Sequence, residues 1–232
     1  MVACVRGRAT VIAGTGTNST RSTIERSKMA DGAGANAVMV VSPYYNKPSQ
    51  EGLLRHFTAV AESVGCPVVI YNIPGRTGVD VLPETLEKLC SRAANVVAVK
   101  EATGNVLRTQ MLVRIFGDRL TILSGDDALT LPLVAAGGSG VISVTSNLLP
   151  REVVSATSLA LEGRNDEARR LHLSLLPVHE ALFLEPNPSP VKAALAMDGR
   201  MGEGVRLPLV SVSEATRTAV KTALDAYRRG CP

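Results

Sequence analysis

The stretch "NVVAVKEATG", Asn95 to Gly104, decides how this chain reads. It opens as a run of small and β-branched apolar residues. It then places Lys100 and Glu101 where the run ends, just before a glycine-containing loop. A continuous apolar run, rather than an alternating one, suits a strand buried on both faces of a parallel sheet. An ammonium group at the tip of such a strand calls for a reason.

Working outward, similar runs recur at the spacing of βα units. They read "TVIAGTG" from Thr10, "NAVMVVSPYY" from Asn36 and "PVVIYNIPGRTG" from Pro67 before the Lys100 run. "LTILSGDD" from Leu120 and "GVISVTSN" from Gly140 come after it. Helical patterns lie between them. "SQEGLLRHFTAVAESVG" puts Leu53, Leu54, Phe57, Val60 and Ala61 on one stripe, begins with a cap-like Ser49 and stops at Gly65. "LPETLEKLCSR" sets Pro83 in a helix's first turn. The pattern is α/β, a repeated array with helices covering a parallel sheet. After the sixth run the pattern turns helical, in "REVVSATSLALEGRNDEARRLHLSLLPVHEALF", "SPVKAALAMDG" and "SEATRTAVKTALDAYRRG". The expected division is therefore 1–149 as the βα array and 150–232 as its last helix and a C-terminal helical extension. A closed (β/α)8 barrel needs eight strands and about 250 residues. Six runs fit either an open doubly wound sheet or a barrel short of two units, and "MVACVRG" reads as the tail of a helix.

The 232 residues carry 45% hydrophobic and 20% charged side chains, ordinary for a globular chain with a real core. No run approaches the roughly 18 apolar residues of a membrane span, and the start lacks a signal peptide's apolar region. A cytoplasmic location is expected. The formal charge of +4 is scattered, and aromatics make up only 3%, so no stacking platform for nucleic acid is expected. The excess reads as a solvated surface with some attraction for anions. Cys4, Cys66, Cys90 and Cys231 lie far apart without metal or redox spacing, and His56, His172 and His179 form no ligand motif. Packing roles are expected for the histidines, and no metal is expected.

Ligands of parallel βα folds gather at the carboxyl ends of the strands. There the sequence places Gly14-Thr15-Gly16, Tyr44-Tyr45, Tyr71 through Gly78, Lys100-Glu101, Ser124 through Asp127, and Ser143. Lys100 has two readings. Its stem packs on apolar neighbours while its head reaches water, or Val97, Val99 and the sheet partly desolvate its amine. Desolvation disfavours the charged form, and a neutral amine attacks a ketone to form a Schiff base, an electron sink. Tyr71 ends the preceding run, so it should lie beside Lys100. It is either a core aromatic or a phenol that donates and accepts a proton in one cycle. Strand alternation points Glu101 to the other face, as a packing or cap partner. Arg76, between glycines, is either a surface charge or a bidentate carboxylate holder. "GTGTNS" carries part of a phosphate-cradle pattern but lacks its third glycine.

Taken together, "PYYNKPSQEGL", "YNIPGRTG", "VKEATG", "LSGDD", "GVISVTSN" and "EPNPSPVK" fall in an order that resembles the dihydrodipicolinate synthase family. That family is a branch of the N-acetylneuraminate lyase and class I aldolase group of TIM barrels. The resemblance implies a (β/α)8 barrel, here incomplete with about six strands. It implies a lyase that condenses pyruvate with L-aspartate-4-semialdehyde in lysine and diaminopimelate biosynthesis, without cofactor, usually as a homotetramer. Lys100 would be the Schiff-base lysine, Tyr71 the proton donor and acceptor, and Tyr45 a relay tyrosine lent by a neighbouring subunit. Arg76 would hold the semialdehyde carboxylate, and the Ile142 backbone and Gly125 would contact substrate. Two βα units with a Thr-Thr-Gly-Glu segment precede "VIAGTG" in the family and are not in this sequence. The expectation is a barrel leaning on oligomer contacts, in which imine formation at Lys100 survives better than full turnover. The alternatives are a related 2-keto-acid aldolase and a truncated inactive form. Lysine-inhibited members carry an asparagine and a glutamate one turn apart after "GTG"; Asn18 is present, but Ser22 occupies the glutamate position.

Overall fold

A computed structural model of the chain describes residues 1–230. Each apolar run of the sequence forms a strand at its β-branched centre. In chain order the elements begin with helix α1 (Val2–Val5), strand β1 (Ile12–Gly14), α2 (Thr20–Gly32), β2 (Ala37–Val41) and α3 (Gln50–Glu62). They continue with β3 (Val68–Asn72), the single turn α4 (Pro74–Thr77), α5 (Pro83–Arg92), β4 (Val96–Glu101), α6 (Val106–Phe116) and β5 (Thr121–Ser124). Then come α7 (Thr130–Ala135), β6 (Gly140–Val141), α8 (Pro150–Leu161), α9 (Asn165–Ala181), α10 (Ser189–Met197) and α11 (Glu214–Arg228). The chain divides into two compact units: residues 1–125 with 136–139, and residues 126–135 with residues from 140 onward.

In the first unit β1 to β5 pair in parallel, each with the next in sequence. Parallel neighbours require a crossover, and a helix supplies it each time. Ser49 caps α3 by accepting from the Gly52 amide at 3.2 Å. From that cap, 3.6-residue periodicity carries Leu53, Leu54, Phe57, Val60 and Ala61 onto one buried stripe. They pack with Val38, Val40, Val68, Ile70, Val99 and Ile122 of the sheet and with Leu86, Leu89, Leu112 and Phe116 of α5 and α6. Pro83 stands in the first turn of α5, where its missing N–H costs nothing.

The sheet's other face corrects one expectation. The continuous runs predict strands buried on both sides. Val69 and Ala98 on that face are buried, yet Met39, Val41, Tyr71, Lys100 and Leu123, which share it and alternate with the helix-side core residues, are only half-buried. The β3–β4 register slips between Val68 and Val69, leaving Val97 as a bulge with 37% of its surface exposed. Val97 therefore does not desolvate Lys100, and Val99 belongs to the helix-side core.

The second unit has its own apolar cluster, in which Leu148 and Leu149 pack with Leu175, Val178 and Leu182 of the α9 region, Val191 of α10 and Val220 and Leu224 of α11. The long helical stretch of the sequence is broken into α8 and α9 where Gly163 takes φ 75°. His172 and His179 are buried in this unit, and His56 in the first, all in packing positions. Among the described residues no helix is long and apolar enough to cross a membrane. Among them no group of three or more potential ligands could hold a metal ion. Cys4, Cys66 and Cys90 are free thiols, and Cys231 lies outside the described residues.

Candidate active site

Register places Tyr71 directly opposite Lys100 on neighbouring parallel strands. Both side chains are half-buried on the face away from the helices, and Lys100 Nζ lies 4.1 Å from the centre of the Tyr71 ring. An ammonium over an aromatic face is held by the ring quadrupole. Burial pushes the Tyr71 phenol above its ordinary 10.0, and the positive Arg76 pulls partly the other way. Tyr71 therefore keeps its proton at neutral pH and can donate it, while the ring orients the amine.

Gly125 at the end of β5 makes room for that amine. A Cβ there would lie 2.6 Å from Ala102 Cβ, 3.1 Å from Lys100 Cε and 3.3 Å from the Glu101 carbonyl oxygen. Only glycine permits this close approach, so the lysine stem runs against bare backbone.

Arg76 sits in α4, which Pro74 starts and Gly78 ends in a left-handed cap at φ 73°. Its side chain is exposed, yet its charge is felt at Tyr71. The loop after β2 carries Tyr44 and Tyr45, 42% and 88% exposed. Tyr45 and Lys47 both hold positive φ, at 74° and 43°, strained for residues with a side chain. A Cβ on Gly78 would meet Lys47 Cε at 2.7 Å, so this loop and the Arg76 turn touch through the Lys47 stem. Lys100, Tyr71, Gly125, Arg76 and Tyr45 all belong to the first unit. Ile142 belongs to the second, half-buried just after β6.

The "GTGTNS" loop is a packing device. A Cβ on Gly16 would stand 2.4 Å from the Val41 amide nitrogen. The loop's polar groups are spent internally, with the Thr15 and Ser27 hydroxyls 2.8 Å apart and the Thr17 amide donating to Thr23 Oγ1 at 2.9 Å. Sequence reasoning missed the largest polar feature, on the sheet's helix side. Glu101 is buried and accepts from Arg108 Nε at 2.8 Å and from the Thr103 amide at 2.9 Å. Its direction away from Lys100 follows from alternation. The matching arginine, seven residues on in α6, carried no signal beyond being a charge on an apolar helix.

A half-buried lysine and a tyrosine ring thus meet at the carboxyl ends of neighbouring parallel strands, a pairing whose amine could attack a carbonyl. The Dihydrodipicolinate synthetase family model matches residues 1–227. This chain belongs to that family. A "4-hydroxy-tetrahydrodipicolinate synthase" of Sorangium cellulosum is 59% identical over 224 residues, which span 97% of this chain and 74% of that relative. The solved 4-hydroxy-tetrahydrodipicolinate synthase of the methanotroph Methylacidiphilum fumariolicum SolV superposes with a TM-score of 0.97 at 46% identity. The match covers 98% of this chain and 76% of that one. A chloride-inhibited dihydrodipicolinate synthase from Acinetobacter baumannii, solved with pyruvate, gives a TM-score of 0.95 at 40% identity, over 98% of this chain and 78% of that one. Within this member of the synthetase family one resemblance-based placement needs correction. Asn18 precedes helix α2, whose N-cap is Ser19, so Asn18 and Ser22 are not one turn apart on a helix. The Asn18 carbonyl instead accepts from Asn46 Nδ2 at 2.9 Å, bracing the Tyr45 loop.

Proposed function

We propose that the chain is a 4-hydroxy-tetrahydrodipicolinate synthase, condensing pyruvate with L-aspartate-4-semialdehyde through a Schiff base on Lys100. The observation that carries this is the Lys100–Tyr71 pair, in register and 4.1 Å from amine to ring centre, in a chain of the synthetase family. The neutral amine attacks the pyruvate ketone carbon, and water leaves as the imine forms. The imine accepts the electron pair released when the neighbouring methyl loses a proton, and the resulting enamine attacks the aldehyde. Imine formation and breakdown both need a proton moved, and in this reading Tyr71 donates and recovers it. The imine formed on Lys100 is the electron sink, so the chemistry calls for no metal or organic cofactor.

Arg76, exposed on its turn beside Tyr71, holds the semialdehyde carboxylate by its two-pronged guanidinium. Gly125 contacts pyruvate. Tyr45, nearly fully exposed within one chain, completes a proton relay in a second copy, in a homotetramer in the cytoplasm. In this reading the architecture is that of the (β/α)8 barrel family. Residues 1–149 supply barrel units, and residues 150–232 the last barrel helix and a helical extension.

Incubation with pyruvate and borohydride tests the reading. Reduction should fix a pyruvate-derived group on Lys100, found by peptide mass. An unmodified Lys100, under conditions that label a known Schiff-base aldolase, overturns it. Arg76→Ala should keep the trapped adduct and lose use of the semialdehyde. Equal semialdehyde use by that variant removes Arg76 from the carboxylate-holding role, and a wild-type chain that forms the adduct without using the semialdehyde is a related 2-keto-acid aldolase instead.

A further inference from the structure

Tyr71 and Lys100 are register partners, and so are the residues that follow them, Asn72 and Glu101. Alternation sends the second pair to the opposite face of the sheet. There they enter a buried polar cluster centred on Arg108. We infer that this cluster, Arg108 with Glu101, Asp80 and Asn72, is the positioning device of the Lys100–Tyr71 pair. The inference rests on the proposed Schiff-base role of Lys100.

The three arms of the guanidinium reach two segments. Arg108 Nε donates to Glu101 Oε2 at 2.8 Å, at the end of β4. Nη1 reaches Asp80 Oδ2 at 3.4 Å, and Nη2 donates to the Val81 carbonyl, both beyond the Arg76 turn. Asn72 closes the ring. Its Nδ2 donates to Asp80 Oδ1 at 2.8 Å, and its Oδ1 accepts from the Val81 amide at 3.1 Å. Its Nδ2 also lies 3.3 Å from Glu101 Oε2. Arg108, Glu101 and Asn72 are buried to 7%, 3% and 0% exposure. The fork thus ties the tip of β4 to the far end of the loop that carries Arg76, and Asn72 joins the tip of β3 to both.

A buried ion pair is weak evidence for stability, because apolar residues of equal volume often serve as well. Apolar packing has no direction, however. Added to the backbone ladder, the Asn72–Glu101–Arg108 contacts fix where the side-chain faces of the β3 and β4 tips stand relative to each other, one residue from the amine and the phenol. Proximity catalysis is steep in such terms, with a misplacement of about 1 Å costing up to about a hundredfold in rate.

The test compares Arg108→Met with the double variant Glu101→Gln/Arg108→Met in the full chain. The single variant leaves Glu101 charged and unpaired in the core, so its melting temperature should fall. The double variant removes that lone charge and should recover most of the loss. The rate of borohydride-trapped pyruvate at Lys100, per folded molecule by circular dichroism, should be down about tenfold or more in both variants. A trapping rate that recovers together with the melting temperature makes the cluster merely structural and overturns the inference. So does a wild-type rate in either variant. If Arg108→Met does not fold, Arg108→Lys keeps the charge without the planar fork and is judged by the same rate. A wild-type chain that is never trapped overturns the functional reading and this inference together. A trapped wild type with unslowed variants overturns the inference alone.

Discussion

At the scale of single residues, the site depends on what is absent as much as on what is present. Gly125 has no Cβ; one there would overlap Ala102 Cβ and crowd Lys100 Cε. Gly125→Ala should therefore push the lysine stem aside. A destabilisation of about 1–3 kcal/mol, typical of overpacking, is expected in urea denaturation, together with slower imine trapping. Tyr71→Phe keeps the ring under the amine but removes the proton carrier. Trapping should fall by roughly 10²–10⁴ while the fold and melting temperature hold. Equal trapping by the phenylalanine variant would show that the ring, not the hydroxyl, is what Tyr71 contributes.

At the scale of elements, α3 shows how pattern becomes packing. Its stripe could be written from periodicity alone, because 3.6 residues per turn leave one face for Leu53, Phe57 and Val60. Phe57 is fully buried against β2 and β3, and Phe57→Ala should cost about 3–5 kcal/mol in chemical denaturation. The loop after β1 behaves differently. Its glycines carry part of a phosphate-cradle pattern, but Gly16 is small because β2 backbone passes within contact. Gly16→Ala should destabilise the chain, and no phosphate protection of that loop is expected in hydrogen exchange. Strand bounds were readable from the runs. The bulge at Val97 was not, because it arises from register with β3, and a single strand contains no information about its neighbour's offset.

At the scale of the whole molecule, acid sensitivity should be built in. Burial pushes His56 and His179 from 6.5 to about 4, and His172 in the same direction. His179 stays neutral beside the Thr145 hydroxyl at 2.8 Å. Between those values the unfolded chain binds more protons than the folded one, so stability rises with pH and is lost as pH falls through that window. From neutral pH to about 5, on the order of 1–2 kcal/mol for each of His56 and His179 should disappear, and His179→Gln should flatten the slope of melting temperature against pH. The sequence by itself determined the repeated α/β order, the covering stripes and Lys100 with Tyr71 at strand ends, because these are periodicities along the chain. Tertiary structure alone decided three things. The Lys100 end of the sheet's second face is half-buried, Gly125 makes room for the lysine, and Arg108 bridges the β4 tip and a distant loop. Each is a contact between segments far apart in sequence, set by register and crossing of elements, which no local pattern encodes.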